Sequence, residues 1–308
     1  MHRFKKILFV SSGDKEDGAA LDRVNRLALG NQAKVCLVRL VEELPFAAGL
    51  LLARKKTEEF REASTAHAQD ELDRLKERFD PAVKVETRVV VGKSFVELIR
   101  MVSCDGYDLL VKPRERHQRR KSLASVDLHL LRKCPCPVWI IKPAQRKPFG
   151  KILIAVDADP SDAERLQMHQ DLLKLGFSLA DTENGKVEIA HTWTVEGETL
   201  LRSPRFGMTQ AEIDVLEKEI EKTHRRWLDE LLAPHRASKP RTTLVKGESG
   251  PALVELIDKK KPDIVVMGTV ARTGLPGLLI GNTAEYVLGQ IGCSVLAIKP
   301  QGFQTPVD

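Results

Sequence analysis

The sequence predicts an α/β protein made of two tandem, doubly wound parallel sheets. Short β-branched apolar segments recur twice in the same order, and charged amphipathic stretches of helical spacing separate them. The length agrees, because 308 residues suit two domains of about 150 residues each.

The first pair of segments is Lys6-Ile-Leu-Phe-Val10 and Lys151-Ile-Leu-Ile-Ala155, each followed by a turn that holds an acid, Asp14 or Asp157. Lys34-Val-Cys-Leu-Val38 then matches Lys186-Val-Glu-Ile-Ala190, and Val89-Val-Val-Gly-Lys-Ser94 matches Leu244-Val-Lys-Gly-Glu-Ser249. Tyr107-Asp-Leu-Leu-Val111 matches Pro262-Asp-Ile-Val-Val266. Cys136-Pro-Val-Trp-Ile-Ile-Lys-Pro143 matches Cys293-Ser-Val-Leu-Ala-Ile-Lys-Pro300. Runs of this kind are strands buried on both faces. Between them, Glu16–Leu29, Leu51–Phe79 and Met208–Leu232 read as helices, the first capped at Gly30-Asn31. Strand–helix alternation implies parallel strands joined by right-handed crossovers. The domains are residues 1–146 and 147–308, with Ala144-Gln-Arg-Lys-Pro148 as the polar linker. The last strand of each half offers an apolar edge, Val138, Ile140 and Ile141 or Val295, Leu296 and Ile298. Pairing of these edges gives an internal pseudo-dimer, or self-association between chains.

Composition narrows the function. Apolar residues make up 42% and charged residues 30%, an ordinary globular balance. No apolar run reaches the roughly 18 residues of a membrane span. Met1–Val10 begins with basic residues, but its apolar part is only Ile7–Val10, so it reads as a strand and not a signal peptide. Five cysteines in no framework point to a reducing compartment, the cytoplasm, with the thiols buried. Cys134-Pro-Cys136 is the one close pair; a single intervening residue and no second pair argue against zinc. The net charge is +6, and its sharpest run is Arg114–Lys121. That run holds no aromatic residue for base stacking, so it reads as a solvated loop and nucleic acid is not expected.

The chemistry-bearing segment is Ile264-Val-Val-Met-Gly-Thr-Val-Ala-Arg-Thr-Gly-Leu-Pro-Gly-Leu-Leu-Ile-Gly-Asn-Thr-Ala-Glu285. A buried strand ends at Gly268, a glycine-rich loop follows, and a helix starts near Asn282-Thr283, both good capping residues. Exposed amides beside glycines suit a phosphate, although glycines also serve a tight connection. The first half's equivalent loop, Lys112–Lys121, has no glycine, and Pro113 removes an amide donor. No nucleotide is expected there; its cations could hold an anion through side chains. The histidines, His169, His191 and His224 among them, show no ligand spacing, so they read as core or surface residues, and Trp193 and Trp227 read as packing residues. Glu196–Met208 is either a lid or a loose loop.

This loop resembles the signature of the universal stress protein family: Gly, two residues, Gly, nine residues, Gly, then Ser or Thr. Here those positions are Gly268, Ala271, Gly281 and Asn282, with Thr283 one step later. The pattern Gly-Thr-Val-Xaa-Arg-Thr-Gly followed by Gly-Asn-Thr-Ala-Glu, the segment Leu130–Pro135 and the tail Gln304–Val307 resemble tandem members of the family along the whole chain. The resemblance implies an adenine nucleotide alpha hydrolase-like fold and a role in surviving stress. It places Asp157, Thr192 and Gly247 near a base and ribose, and Gly268, Ala271, Gly281, Asn282 and Thr283 around phosphates and metal. Ala271 adds a methyl group where backbone should approach, and Asn282 is a poorer magnesium ligand than Ser or Thr. The favoured function is therefore a non-catalytic stress-response module that binds a ligand or protein partner. The alternative is ATP binding with magnesium in the second domain, with slow hydrolysis or nucleotide-switched assembly. A third reading is a lipid or other amphipathic ligand between the long helices, suggested by Leu44–Ala53.

Overall fold

A computed structural model describes residues 4–13, 17–41, 54–92, 94–114, 123–142, 148–269 and 280–307. The Leu44–Ala53 stretch, residues 115–121 of the basic run and residues 143–147 of the linker lie outside the described residues.

The first half runs β1 (Lys6–Ser11), α1 (Asp17–Asn31), β2 (Lys34–Val41), α2 (Arg54–Lys76), β3 (Val85–Val91), α3 (Ser94–Asp105), β4 (Leu109–Pro113), α4 (Ser125–Lys133) and β5 (Val138–Ile141). The second repeats it as β6 (Lys151–Val156), α5 (Ala163–Glu183), β7 (Lys186–Trp193), α6 (Glu198–Leu201), α7 (Gln210–Leu231), a 3-10 turn (Ala233–Ser238), β8 (Arg241–Lys246), α8 (Ser249–Lys260), β9 (Ile264–Gly268), α9 (Asn282–Leu288) and β10 (Ser294–Ile298). All five repeated segments are strands, and within each half they pair in parallel.

The halves share one ten-stranded sheet in the order β3-β2-β1-β4-β5-β10-β9-β6-β7-β8. Its centre is the antiparallel pair β5–β10, with Ile140 opposite Val295, Trp139 opposite Leu296 and Val138 opposite Ala297. The two apolar edges anticipated for self-association therefore satisfy each other inside the chain. Alternation along these strands sends Trp139 and Leu296 into one core and Val138, Ile140, Val295 and Ala297 into the other. Each core crosses the seam, so the halves are packed as one body. A buried charge cluster adds to the seam. Glu183 of α5 meets Arg23 of α1 at 3.5 Å and Arg26 at 3.4 Å, and accepts the Phe149 amide at 3.0 Å.

Three local expectations are corrected. The rim strands β3 and β8 are only partly covered, because each has a neighbour on one side alone. Helix α1 continues through Gly30 and Asn31, and Gln32 takes the left-handed φ of 52°. Helix α9 is capped by Gly281, and no side chain closes its first turn, so Asn282 and Thr283 sit inside the helix and do not cap it. Of the cysteines, Cys36, Cys134, Cys136 and Cys293 are buried as expected; Cys104, on α3, is exposed.

Candidate ligand cleft of the second half

In each half the strand order reverses direction between the first and fourth strands, the place where open α/β sheets bind ligands. In the second half a cavity of about 690 Å³ opens at the carboxyl ends of β6, β7 and β9. Its floor is Val156 and Asp157 at the end of β6, His191 to Val195 at the end of β7, and Met267 to Thr269 at the end of β9. Helix α5 supplies Arg165, Met168 and His169 to one wall, and α7 supplies Leu216, Ile220, His224 and Trp227 to another. Both helices are well anchored at their starts. Asp162 accepts the Arg165 amide at 3.0 Å, and Thr209 and Glu212 form a reciprocal capping box.

Of the residues anticipated from sequence, Asp157, Thr192, Gly268, Gly281 and Thr283 all line this cavity. Asp157 is held by Arg165 at 3.2 Å, and Arg165 also lies 3.7 Å from Asp159. Thr192 donates its hydroxyl to Ser249 at 2.8 Å. A side chain at Gly268 would meet the Met168 methyl at 2.7 Å. The Gly281 amide donates to the Thr269 carbonyl at 2.9 Å, which fixes the start of α9 against the end of β9. Gly247 and Asn282 stay off the wall. Gly247 takes φ +138° after β8, a conformation that favours glycine, and its amide donates to the Trp193 carbonyl at 2.8 Å. Asn282 is exposed. Ala271 lies outside the described residues.

Sequence reasoning missed the histidines. His191 Nε2 and His224 Nδ1 are 2.8 Å apart, although 33 residues separate them. His191 Nδ1 is 3.2 Å from the Val156 carbonyl, which can only accept, so that nitrogen carries the proton. His191 Nε2 then accepts from His224. The Ala158 amide lies 3.4 Å from the same Nδ1, a longer contact this tautomer does not use. Burial holds both imidazoles below the ordinary histidine value, and for His224 the neighbouring His191 adds to the effect. Burial brings His169 down further, to about 4, against the pull of Asp157. Trp193 and Trp227 flank His224, with ring centroids at 6.2 and 4.8 Å. They pack, as expected, and also face the cavity. Two buried polar atoms, Thr269 Oγ1 and His169 Nδ1, have no hydrogen-bond partner among the described residues. Only the tertiary fold could reveal this cluster, since no local spacing links β7 to α7.

Glu196–Met208 is neither wholly a lid nor wholly loose. Glu196 lines the cavity and α6 follows it. Glu198 meets Arg202 at 2.8 Å and Lys246 at 3.2 Å, and Lys246 also meets Glu217 of α7 at 2.6 Å.

At the corresponding place in the first half, described up to Arg114 and again from Leu123, charged groups pair with one another. Lys112, at the end of β4, is buried against Asp127 of α4 at 2.9 Å. Arg114 is buried beside the same carboxylate, and burial holds its guanidinium below its ordinary value. At the β1–α1 turn, buried Asp17 accepts from the Ser11 hydroxyl at 2.6 Å and from the amides of Ser12 and Gly13 at 3.1 and 3.3 Å. Among the described residues, two carboxylates thus engage donors at the ends of β1 and β4.

Two α/β halves joined at their last strands, with a cleft at the switch point of the second, define a tandem α/β protein. The chain belongs to the universal stress protein family, whose model matches residues 3–142 and 148–299. It is 27% identical to universal stress protein E of Escherichia coli over 314 aligned residues, covering 100% of this chain and 98% of that protein. It is 28% identical to the universal stress protein E homolog of Haemophilus influenzae, covering 97% of this chain and 98% of that one. Among solved structures it is similar to a functionally unknown protein from Pseudomonas aeruginosa (25% identity, TM-score 0.71, 97% and 94% of the two chains covered). It shares its fold with a universal stress protein from Archaeoglobus fulgidus (15% identity, TM-score 0.61, 97% and 98% covered).

Proposed function

We propose that this stress-response family member is a non-catalytic binding module that takes one adenine nucleotide per chain, in its second half. The observation that carries the reading is the gathering of Asp157, Thr192, Gly268, Gly281 and Thr283 around one cavity of about 690 Å³. Small-ligand sites occupy roughly 300–1,000 Å³, mostly apolar with a few convergent polar groups. Thr269 Oγ1 and His169 Nδ1 offer unspent hydrogen-bonding capacity, and Trp193 and Trp227 offer flat apolar faces. Asp157 and Asp159 are both engaged by Arg165. Magnesium would therefore arrive on the phosphates and not on a protein carboxylate.

The test begins with denaturing the purified chain and analysing the filtrate for adenine nucleotide. Titration of the stripped protein with ATP and magnesium by calorimetry follows. One site per chain is expected, with binding lost in Gly281→Val. Gly281 has extended backbone angles (φ −73°, ψ 146°) that valine can adopt, and the substitution adds bulk at a residue that lines the cavity. A folded protein that releases no nucleotide and gives no heat would sink the proposal.

The apolar wall of Leu216, Ile220 and Trp227 supports a second reading, an amphipathic ligand. Solvent extraction and mass spectrometry of the same preparation separates the two, because a lipid partitions into the organic phase.

A further inference from the structure

The close cysteine pair lies away from the cleft, at the seam between the halves. Cys134 caps the end of α4, Pro135 follows, and Cys136 leads into β5. The two sulfurs are 3.6 Å apart. Cys134 is fully buried, whereas Cys136 retains 7% exposure on the turn. Lys299, just past β10, enters the same place from the other half. Its ammonium donates to the Leu131 carbonyl at 3.0 Å and lies 5.3 Å from the centre of the Phe303 ring.

Burial lowers Lys299 to about 8, and the two sulfurs oppose that fall. Burial also raises both thiols. For Cys134, the hydrogen bond from Cys136 and the charge of Lys299 outweigh burial and bring it below its ordinary value, while Cys136 stays well above. The two sulfurs thus share one buried place in the field of the Lys299 charge and lie close enough to be joined. Cys293 shows the contrast. It is buried, no thiol is among the groups that act on it, and burial pushes it up to about 11.

We propose that Cys134 and Cys136 form a reversible thiol–disulfide site, oxidised by a hydroperoxide and activated by Lys299. In the first step the Cys134 thiolate attacks a peroxide oxygen; an S–O bond forms, the O–O bond breaks, and hydroxide leaves and is protonated to water. In the second step the Cys136 sulfur attacks Cys134; an S–S bond forms, the S–O bond breaks, and the hydroxyl departs as water with the Cys136 proton. Overall two thiols and one hydrogen peroxide give one disulfide and two waters. The geometry permits closure. Cα atoms two residues apart are at most about 7 Å apart, against a disulfide range of about 4.4–6.8 Å. The sulfurs need to approach from 3.6 Å to about 2.05 Å. Bridging consumes the thiolate that opposes the burial of Lys299, so oxidation also changes the charge held between the halves.

The experiment uses the full chain carrying Cys104→Ser, which removes the exposed thiol. Hydrogen peroxide should lower the intact mass by two hydrogens, peptide mapping should place the bridge at Cys134–Cys136, and dithiothreitol should restore the thiols. Cys136→Ser should leave a sulfenic acid on Cys134 that dimedone traps. Lys299→Met should slow oxidation at neutral pH by about tenfold, with Lys299→Arg retaining most of the rate. Three results would overturn the proposal: added oxygen with no bridge, a denatured chain that bridges as fast as the folded one, or a folded Lys299→Met that reacts at the parent rate.

Discussion

At the scale of single residues, the cleft is governed by histidines that the fold keeps neutral. His169 has its pKa lowered by burial from 6.5 to about 4. Between those values the unfolded chain binds a proton that the folded chain refuses, so stability falls as pH drops from about 6.5 toward 4. The loss at the acid end is on the order of 3 kcal/mol from this one group. Urea midpoints at pH 7 and pH 5 should therefore differ, and His169→Gln should shrink the difference; an unchanged slope with pH would show that His169 is already solvated. A spaced signature picked out Gly268, Gly281 and Thr283 in the sequence, the family resemblance picked out Asp157 and Thr192, and the fold brings all five to one cavity. His191 and His224 were not legible, because their partnership depends on how α7 folds back over β7. Asp17 and Asp127 were equally hidden, because nothing in the sequence pairs them with the Ser11 hydroxyl or with Lys112.

At the scale of elements, the strands were legible and the helix ends less so. Repetition marked each strand twice, whereas a helix end depends on one residue's backbone angle, as Gln32 shows in place of Gly30. Helix α5 carries both a cleft wall and the seam, and its fit on the sheet is set by Gly176. A methyl group there would collide with Ile154 Cδ1 and lie 2.9 Å from its Cγ1. Gly176→Ala should cost about 1–3 kcal/mol through overpacking, despite alanine's better helix propensity. The thermal midpoint measures it, and Ile154→Val in the same chain should recover part of the loss. A neutral or stabilising Gly176→Ala would mean that helix and sheet separate easily.

At the scale of the whole molecule, the shared sheet makes one folding unit of two homologous halves. Fluorescence, reporting Trp139 in the first half and Trp193 and Trp227 in the second, should follow the same urea transition as circular dichroism. Leu296→Asp, placing a charge in the core that crosses β5 and β10, should lower that transition by about 3 kcal/mol or more without splitting it. Two separated transitions would show that the halves fold alone. The open sheet has a further consequence at its rims. An unclosed ribbon of strands can lengthen by recruiting a neighbour's strand, the first step of fibre growth. Here the apolar edges face inward on each other, and the rims carry Glu86 and Arg88 on β3 and Arg241 and Lys246 on β8, all exposed. Adding a strand from another copy would strip water from those charges, which disfavours sideways growth of the sheet into filaments.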